Sequence, residues 1–170
     1  MRTSSKGMLL IINLVSYNLT AFKEQLSDQY WTIGYGHTGS DVHEGDTITE
    51  KRAEELFKQD IIPYEDAVND LQKTLPFTLN QDQFNALVSF SFDMGIDYLK
   101  DFEGNDEQVI AGKILKYCHD SKGDVVPKLK GRRDKEYALF VQGTNGINLN
   151  IEDEESLRKI LKTLGILLNH

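Results

Sequence analysis

The sequence predicts an α+β protein, mainly α, in which a small lobe of strands and turns precedes a larger helical lobe. Two observations carry this. From Leu19 to about Gly45 the chain is rich in threonine, aromatics and glycine and shows no 3.6-residue period. After Gly45, apolar residues recur at helical spacing, punctuated by capping residues and by Pro63, Pro76 and Gly95.

The helices are justified in order. Ser4 or Ser5 caps a first helix in which Met8, Ile11, Ile12 and Val15 share a face and which ends near Ser16–Asn18. Thr47 or Thr49 opens the next, with Ala53, Leu56 and Phe57 inward, and Pro63 stops or bends it. Tyr64–Leu71 repeats the pattern. Asn80 caps Gln81–Asp93, whose Phe84, Leu87, Val88 and Phe92 make the most apolar face in the chain. Asn105 or Asp106 caps a helix through Tyr117. The segment Lys128–Val141 packs Leu129, Tyr137, Ala138 and Phe140, with Arg132, Arg133 and Lys135 facing water. A turn-rich connector, residues 143–150, leads to a last helix over residues 152–168. Its Leu157, Ile160, Leu161, Leu164 and Leu168 form a stripe that docks back onto the domain or buries against a protein partner.

Composition narrows function. The 170 residues and 39% hydrophobic content suit one core, and a net charge of −8 argues against nucleic acid and against passive adhesion to anionic membranes or wall polymers. A single cysteine, Cys118, excludes an internal disulfide. Cys118, His119 and Asp120 match no standard ligand spacing, so neither a metal nor a cofactor is expected. The run Met8–Val15 is short and lacks a small-residue cleavage pattern. No stretch approaches the ~20 apolar residues that span a bilayer. The expectation is a protein made in the cytoplasm.

The densest stretch is Trp31-Thr32-Ile33-Gly34-Tyr35-Gly36-His37-Thr38, read as a strand and tight turn. It resembles the signature of the phage-type lysozymes, or endolysins. So do Ser5-x-Gly7, Leu19-Thr20-Ala21-Phe22-Lys23, Gly45-Asp46-Thr47-Ile48-Thr49, the run from Asn80 to Phe90, and Gly131-Arg132-Arg133-x-x-Glu136, in the family's order over roughly residues 4–142. The resemblance implies a lysozyme-like domain over residues 1–142, with its β lobe near 19–46, followed by an extension over 143–170. It implies two lobes joined through a long helix, cleavage of the β-1,4 bond between N-acetylmuramic acid and N-acetylglucosamine in peptidoglycan, and release to the wall by lysis or a holin if the protein is a phage product.

The resemblance also locates a departure. The family's general acid is the glutamate of a Phe-Glu-Gly triplet that closes the first helix. Counted from Gly7 forward and from Leu19-Thr20-Ala21 back, that triplet falls on Leu14-Val15-Ser16. Glycosidic cleavage needs a proton donor beside the leaving oxygen, and a valine has none. Loss of such an acid costs about 10²–10⁴-fold in rate.

The second carboxylate of the family matches Glu24 or Asp28, depending on how a loop lengthened by two residues is aligned, and both also read as solvated loop charges. Thr32 matches the cleft threonine. Tyr35, Gly36 and His37 match the glycan-binding wall, with a structural role for His37 the commoner alternative. Glu103, in a Phe-Glu-Gly triplet after the central helix, mimics the lost motif by accident. The expected function is a peptidoglycan-directed lysozyme homologue with its cleft retained and hydrolysis lost or strongly reduced. Alternatives are an active muramidase with a substitute acid, and a non-catalytic protein-interaction module.

Overall fold

The structure is a computed structural model that describes the backbone of residues 1–24 and 27–145 and the side chains of residues 1–23 and 30–142. The predicted helix over residues 152–168 and its apolar stripe lie outside the described residues. The chain divides into two compact units, one spanning Ile12–Ile62 and the other made of Met1–Ile11 with the chain from Pro63 onward.

The larger unit is helical. Helix α1 (Ser5–Ile12) is bound to it by its N-terminal end. Ser4 N–H donates to Asn85 Oδ1 at 3.1 Å and Asn85 Nδ2 donates back to Ser4 Oγ at 2.7 Å, while the Thr3 N–H reaches the buried Glu65 carboxylate at 2.7 Å. Gly7 makes this approach possible, since a Cβ there would stand 2.6 Å from the Asn85 side chain.

The helix stops at Ile12, earlier than the periodicity suggests. Asn13 competes for the backbone, Val15 is β-branched, and no glycine cap follows, so residues 13–15 form a turn and bend. The side it covers carries Leu9, Ile11 and Ile12. Met8 is only half-buried, and Val15 lies past the helix end, half-buried rather than in the core stripe.

Helices α3 (Ile62–Gln72), α4 (Gln81–Met94), α5 (Glu107–Lys116) and α6 (Pro127–Asn145), with a 3-10 segment Ile96–Phe102, complete the unit. Asn80 caps α4 in a full capping box: its side chain accepts from Gln83 N–H and the Gln83 side chain accepts from Asn80 N–H, both at 3.0 Å. Phe84, Ala86, Leu87, Val88 and Phe90 are buried, and so are Gln83, Asn85, Ser89 and Ser91 on the remaining faces. α4 is therefore enclosed all round, with α6 packed along it.

This enclosure overturns the surface reading of Arg132 and Arg133, which are 6% and 0% exposed. The Arg133 guanidinium lies 4.8 Å over the Phe90 ring and bonds Asp93 Oδ2 at 2.6 Å; its Nε is 3.0 Å from Glu136 Oε2. Arg132 Nε donates to Glu136 Oε1 at 3.1 Å, as does Ser89 Oγ at 2.7 Å. Burial pushes the Glu136 carboxyl up, and the two guanidinium groups oppose that shift. Buried charges persist only when paired in this way.

The smaller unit holds an antiparallel sheet of order β1-β2-β3, from β1 (Asn18–Glu24), β2 (Ser27–Gly34) and β3 (His37–Thr38). The outer edge of β1 is covered, because Ala21 N–H donates to Asp46 O and Ile48 N–H to Leu19 O. Helix α2 (Glu50–Asp60) follows, capped by Thr49, whose hydroxyl accepts from Arg52 N–H. Ala21, Ile33, Val42 and Leu56 form this unit's core, with Trp31 and Ile48 packed against it. The break expected at Pro63 is observed, one residue earlier: α2 ends at Asp60 and α3 begins at Ile62. Pro63 has no N–H for the carbonyl of Gln59, and in the first turn of α3 that loss is harmless.

Candidate functional site

The residues nominated by sequence fall together in the smaller unit: Val15, Glu24, Asp28, Thr32, Tyr35, Gly36 and His37 all lie within Ile12–Ile62. β2 and its turn set their positions. Thr32 is 3% exposed, opposite Phe22 on β1 and Thr38 on β3. Gly34, with φ +63°, lets the end of β2 approach α2; a Cβ there would sit 3.2 Å from Ala53 Cβ. The turn then continues through Gly36, at φ +90°.

Glu24 and Asp28 are not loop residues. Both lie on strands, Glu24 closing β1 opposite Ser27 and Asp28 following it on β2. Their side chains are outside the described part of the structure, as are those of the other residues at that hairpin tip.

His37 is clamped between two carboxylates that sequence spacing did not announce. Its Nδ1 is 2.9 and 3.0 Å from the Asp60 carboxylate oxygens, and its Nε2 is 3.3 Å from Asp41 Oδ2. The bond to His37 holds Asp41 below the usual carboxylate range. Burial pushes Asp60 up, and His37 offsets part of that. Both ring nitrogens are thus engaged, and the Asp60 contact ties the start of β3 to the end of α2.

Tyr35 forms the middle of a ring stack. Its ring lies 4.5 Å from Tyr17 with an interplanar angle of 28°, and 5.8 Å from Phe57 at 60°. Burial pushes its phenol up to about 12. Tyr17 was not singled out by sequence, although its place two residues beyond Val15 was a signal that a large aromatic stands near that position.

Set beside known proteins, the model of the phage lysozyme family matches residues 15–136. The chain belongs to the phage lysozyme family. Among its relatives, an endolysin of Bacillus phage B103 is 36% identical over 169 residues, 96% of this chain, although the chain spans only 62% of that relative's length. An endolysin of Salmonella phage P22 is 32% identical over 151 residues, covering 83% of this chain and 99% of the relative. Among solved structures, the muramidase domain of SpmX from Asticaccaulis excentricus superposes with a TM-score of 0.71 at 31% identity, over 82% of this chain and 97% of that domain.

Within this phage lysozyme scaffold, the chemistry offered by the smaller unit is uneven. Position 15 presents an isopropyl group, which neither donates nor accepts a proton. β2, the turn after it and β3 present a buried threonine, a tyrosine stack and a clamped histidine. Among the described residues, no three His, Cys, Asp or Glu side chains are grouped so as to hold a metal ion.

Proposed function

We propose that this protein acts on peptidoglycan as a glycan-binding member of the phage lysozyme family whose hydrolytic step is lost or strongly reduced. The observation that carries this reading is the aliphatic side chain of Val15, at the position where the family's general acid is expected. Cleaving a glycosidic bond requires protonation of the leaving oxygen as the anomeric carbon gains positive charge. With no proton at Val15, that oxygen must leave as a much stronger base, and the step slows by about 10²–10⁴-fold.

Binding does not share this dependence. Thr32 on β2 and the stretch Tyr35-Gly36-His37 supply the polar wall against which a sugar sits, and Glu24 or Asp28 is the residue that matches the family's second carboxylate. Clamping by Asp60 and Asp41 keeps His37 in place without any substrate. The glycan strand is then held without being cut. Access to the wall follows from lysis or a holin-type release, and no helix among the described residues is long and apolar enough to cross a membrane.

One observation favours a second reading, in which a substitute acid restores cleavage. Burial pushes the Glu54 carboxyl up, and Glu54 acts electrostatically on both Tyr17 and Tyr35. Co-sedimentation with purified sacculi, paired with the release of reducing ends, separates the two. Binding without release is the expected outcome. Release that vanishes in Glu54→Gln supports the second reading, and a protein that stays in the supernatant refutes both.

A further inference from the structure

The stack of aromatic rings in the smaller unit begins in the core and ends at the surface. Phe57 is 1% exposed, Tyr35 is half-buried, and Tyr17 is 44% exposed. Each ring backs the next, at 5.8 Å and then 4.5 Å, and the outer pair is close to parallel. Tyr17 is thus supported on one side by a fixed ring, while much of its own surface meets solvent. An isolated surface tyrosine samples several rotamers, but one stacked on an anchored neighbour presents its face in a single orientation. That face is pre-organised for a ligand.

The chain fixes where it stands. Tyr17 follows Val15 by two residues, so their Cα atoms are separated by at most about 7 Å. The exposed ring is therefore carried on the same short stretch of chain as Val15.

Its surroundings narrow the ligand class. Glu50 and Glu54 on α2 act electrostatically on both tyrosines. An aromatic face beside two carboxylates suits either an organic cation or a sugar, whose C–H face packs on the ring while its hydroxyl and amide groups donate to the carboxylates. The peptidoglycan reading given above selects the sugar, whose C–H face packs on an aromatic ring. We propose that Tyr17 is a sugar-stacking residue, packing its exposed face on a neutral N-acetylhexosamine ring of the glycan strand, with Tyr35 and Phe57 as its rigid backing. The proposal rests on the peptidoglycan reading given above and adds to it a binding residue beside Val15.

The probe is a preparation of glycan strands freed of their stem peptides, titrated into the full chain carrying ¹³C-labelled tyrosine. The Tyr17 ring signals, assigned by their absence in Tyr17→Phe, are expected to shift with saturation. Affinity is expected to fall roughly tenfold in Tyr17→Ala and to stay within about twofold of the unmodified chain in Tyr17→Phe, which keeps the ring. The ring-signal readout uses the unmodified protein and so does not depend on Tyr17→Ala folding. Strands that bind with equal affinity to Tyr17→Ala while the Tyr17 signals stay still overturn the stacking role and leave the glycan reading intact. Tyr17 signals that move with tetramethylammonium but not with glycan overturn it in favour of a cation site. A chain that binds no glycan strand at all overturns both.

Discussion

His37 Nδ1 stands 2.9 Å from Asp60 Oδ2, joining the first residue of β3 to the last residue of α2 across 23 positions of sequence. The contact fixes His37, and with it the end of the turn through Tyr35 and Gly36, which is what the proposed binding surface needs before substrate arrives. Because His37 is 13% and Asp60 27% exposed at the side chain, solvent screens the pair only in part. Asp60→Asn is expected to weaken sacculus binding, with no change in the helical signal of the larger unit.

The pH dependence of this clamp has a sign for each carboxylate. Asp41 is held below its unfolded value by His37, so its contribution to stability is present above the unfolded carboxylate range and is lost as pH falls through its native value. Asp60 is raised by burial, so its contribution is largest at low pH and declines as pH rises through its native value. The stability gap between the unmodified chain and Asp41→Asn should therefore open with rising pH through the acid range, while the gap to Asp60→Asn narrows. Urea midpoints measured across that range, one variant at a time, check both directions.

The ion cluster between α4 and α6 makes a different prediction. Glu136 is 0% exposed and faces both Arg132 and Arg133, so its removal leaves Asp93 as the one carboxylate among the described residues that the structure pairs with either guanidinium group. Glu136→Ala is expected to cost about 3–5 kcal/mol. The pair Arg133→Met with Glu136→Leu should recover part of that loss, since one buried cation leaves together with the buried anion and Arg132 keeps Asp93. Thermal unfolding of the single and double variants, taken as a cycle, measures the coupling.

Gly7 tests the seam between α1 and α4. A methyl group at this position meets Asn85 at 2.6 Å and the Thr3 methyl at 2.7 Å, so Gly7→Ala must displace the Ser4–Asn85 bonds. The expected loss is about 1–3 kcal/mol, although alanine is the better helix former. A midpoint equal to that of the unmodified chain would show that the seam yields freely.

Local features were legible in the sequence and long-range ones were not. Asn80 and Gln83 are three residues apart with both halves of a capping box, and the structure forms it. The alternation around Trp31 and Ile33 marked β2 in the same direct way. Arg132 and Arg133 were misread because a charged pair on a helix belongs in water by default. What buries them is Phe90, Asp93 and Glu136, whose arrangement depends on α4 meeting α6. The partners of His37 were hidden for the same reason, since neither Asp60 nor Asp41 carries any mark distinguishing it from the other acidic residues of this chain. Tyr17 belongs between these cases: its proximity to Val15 was readable, but its stacking on Tyr35 appears only once β2 has turned back beside it.

The account stands or falls on the proton missing at position 15. Purified sacculi should be incubated with the unmodified chain and with Val15→Glu, and the reducing ends released per minute compared. The unmodified chain is predicted to stay near background while Val15→Glu gains at least about 100-fold. Release by the unmodified chain at the pace of a working endolysin, with no gain from the restored carboxyl, would contradict it.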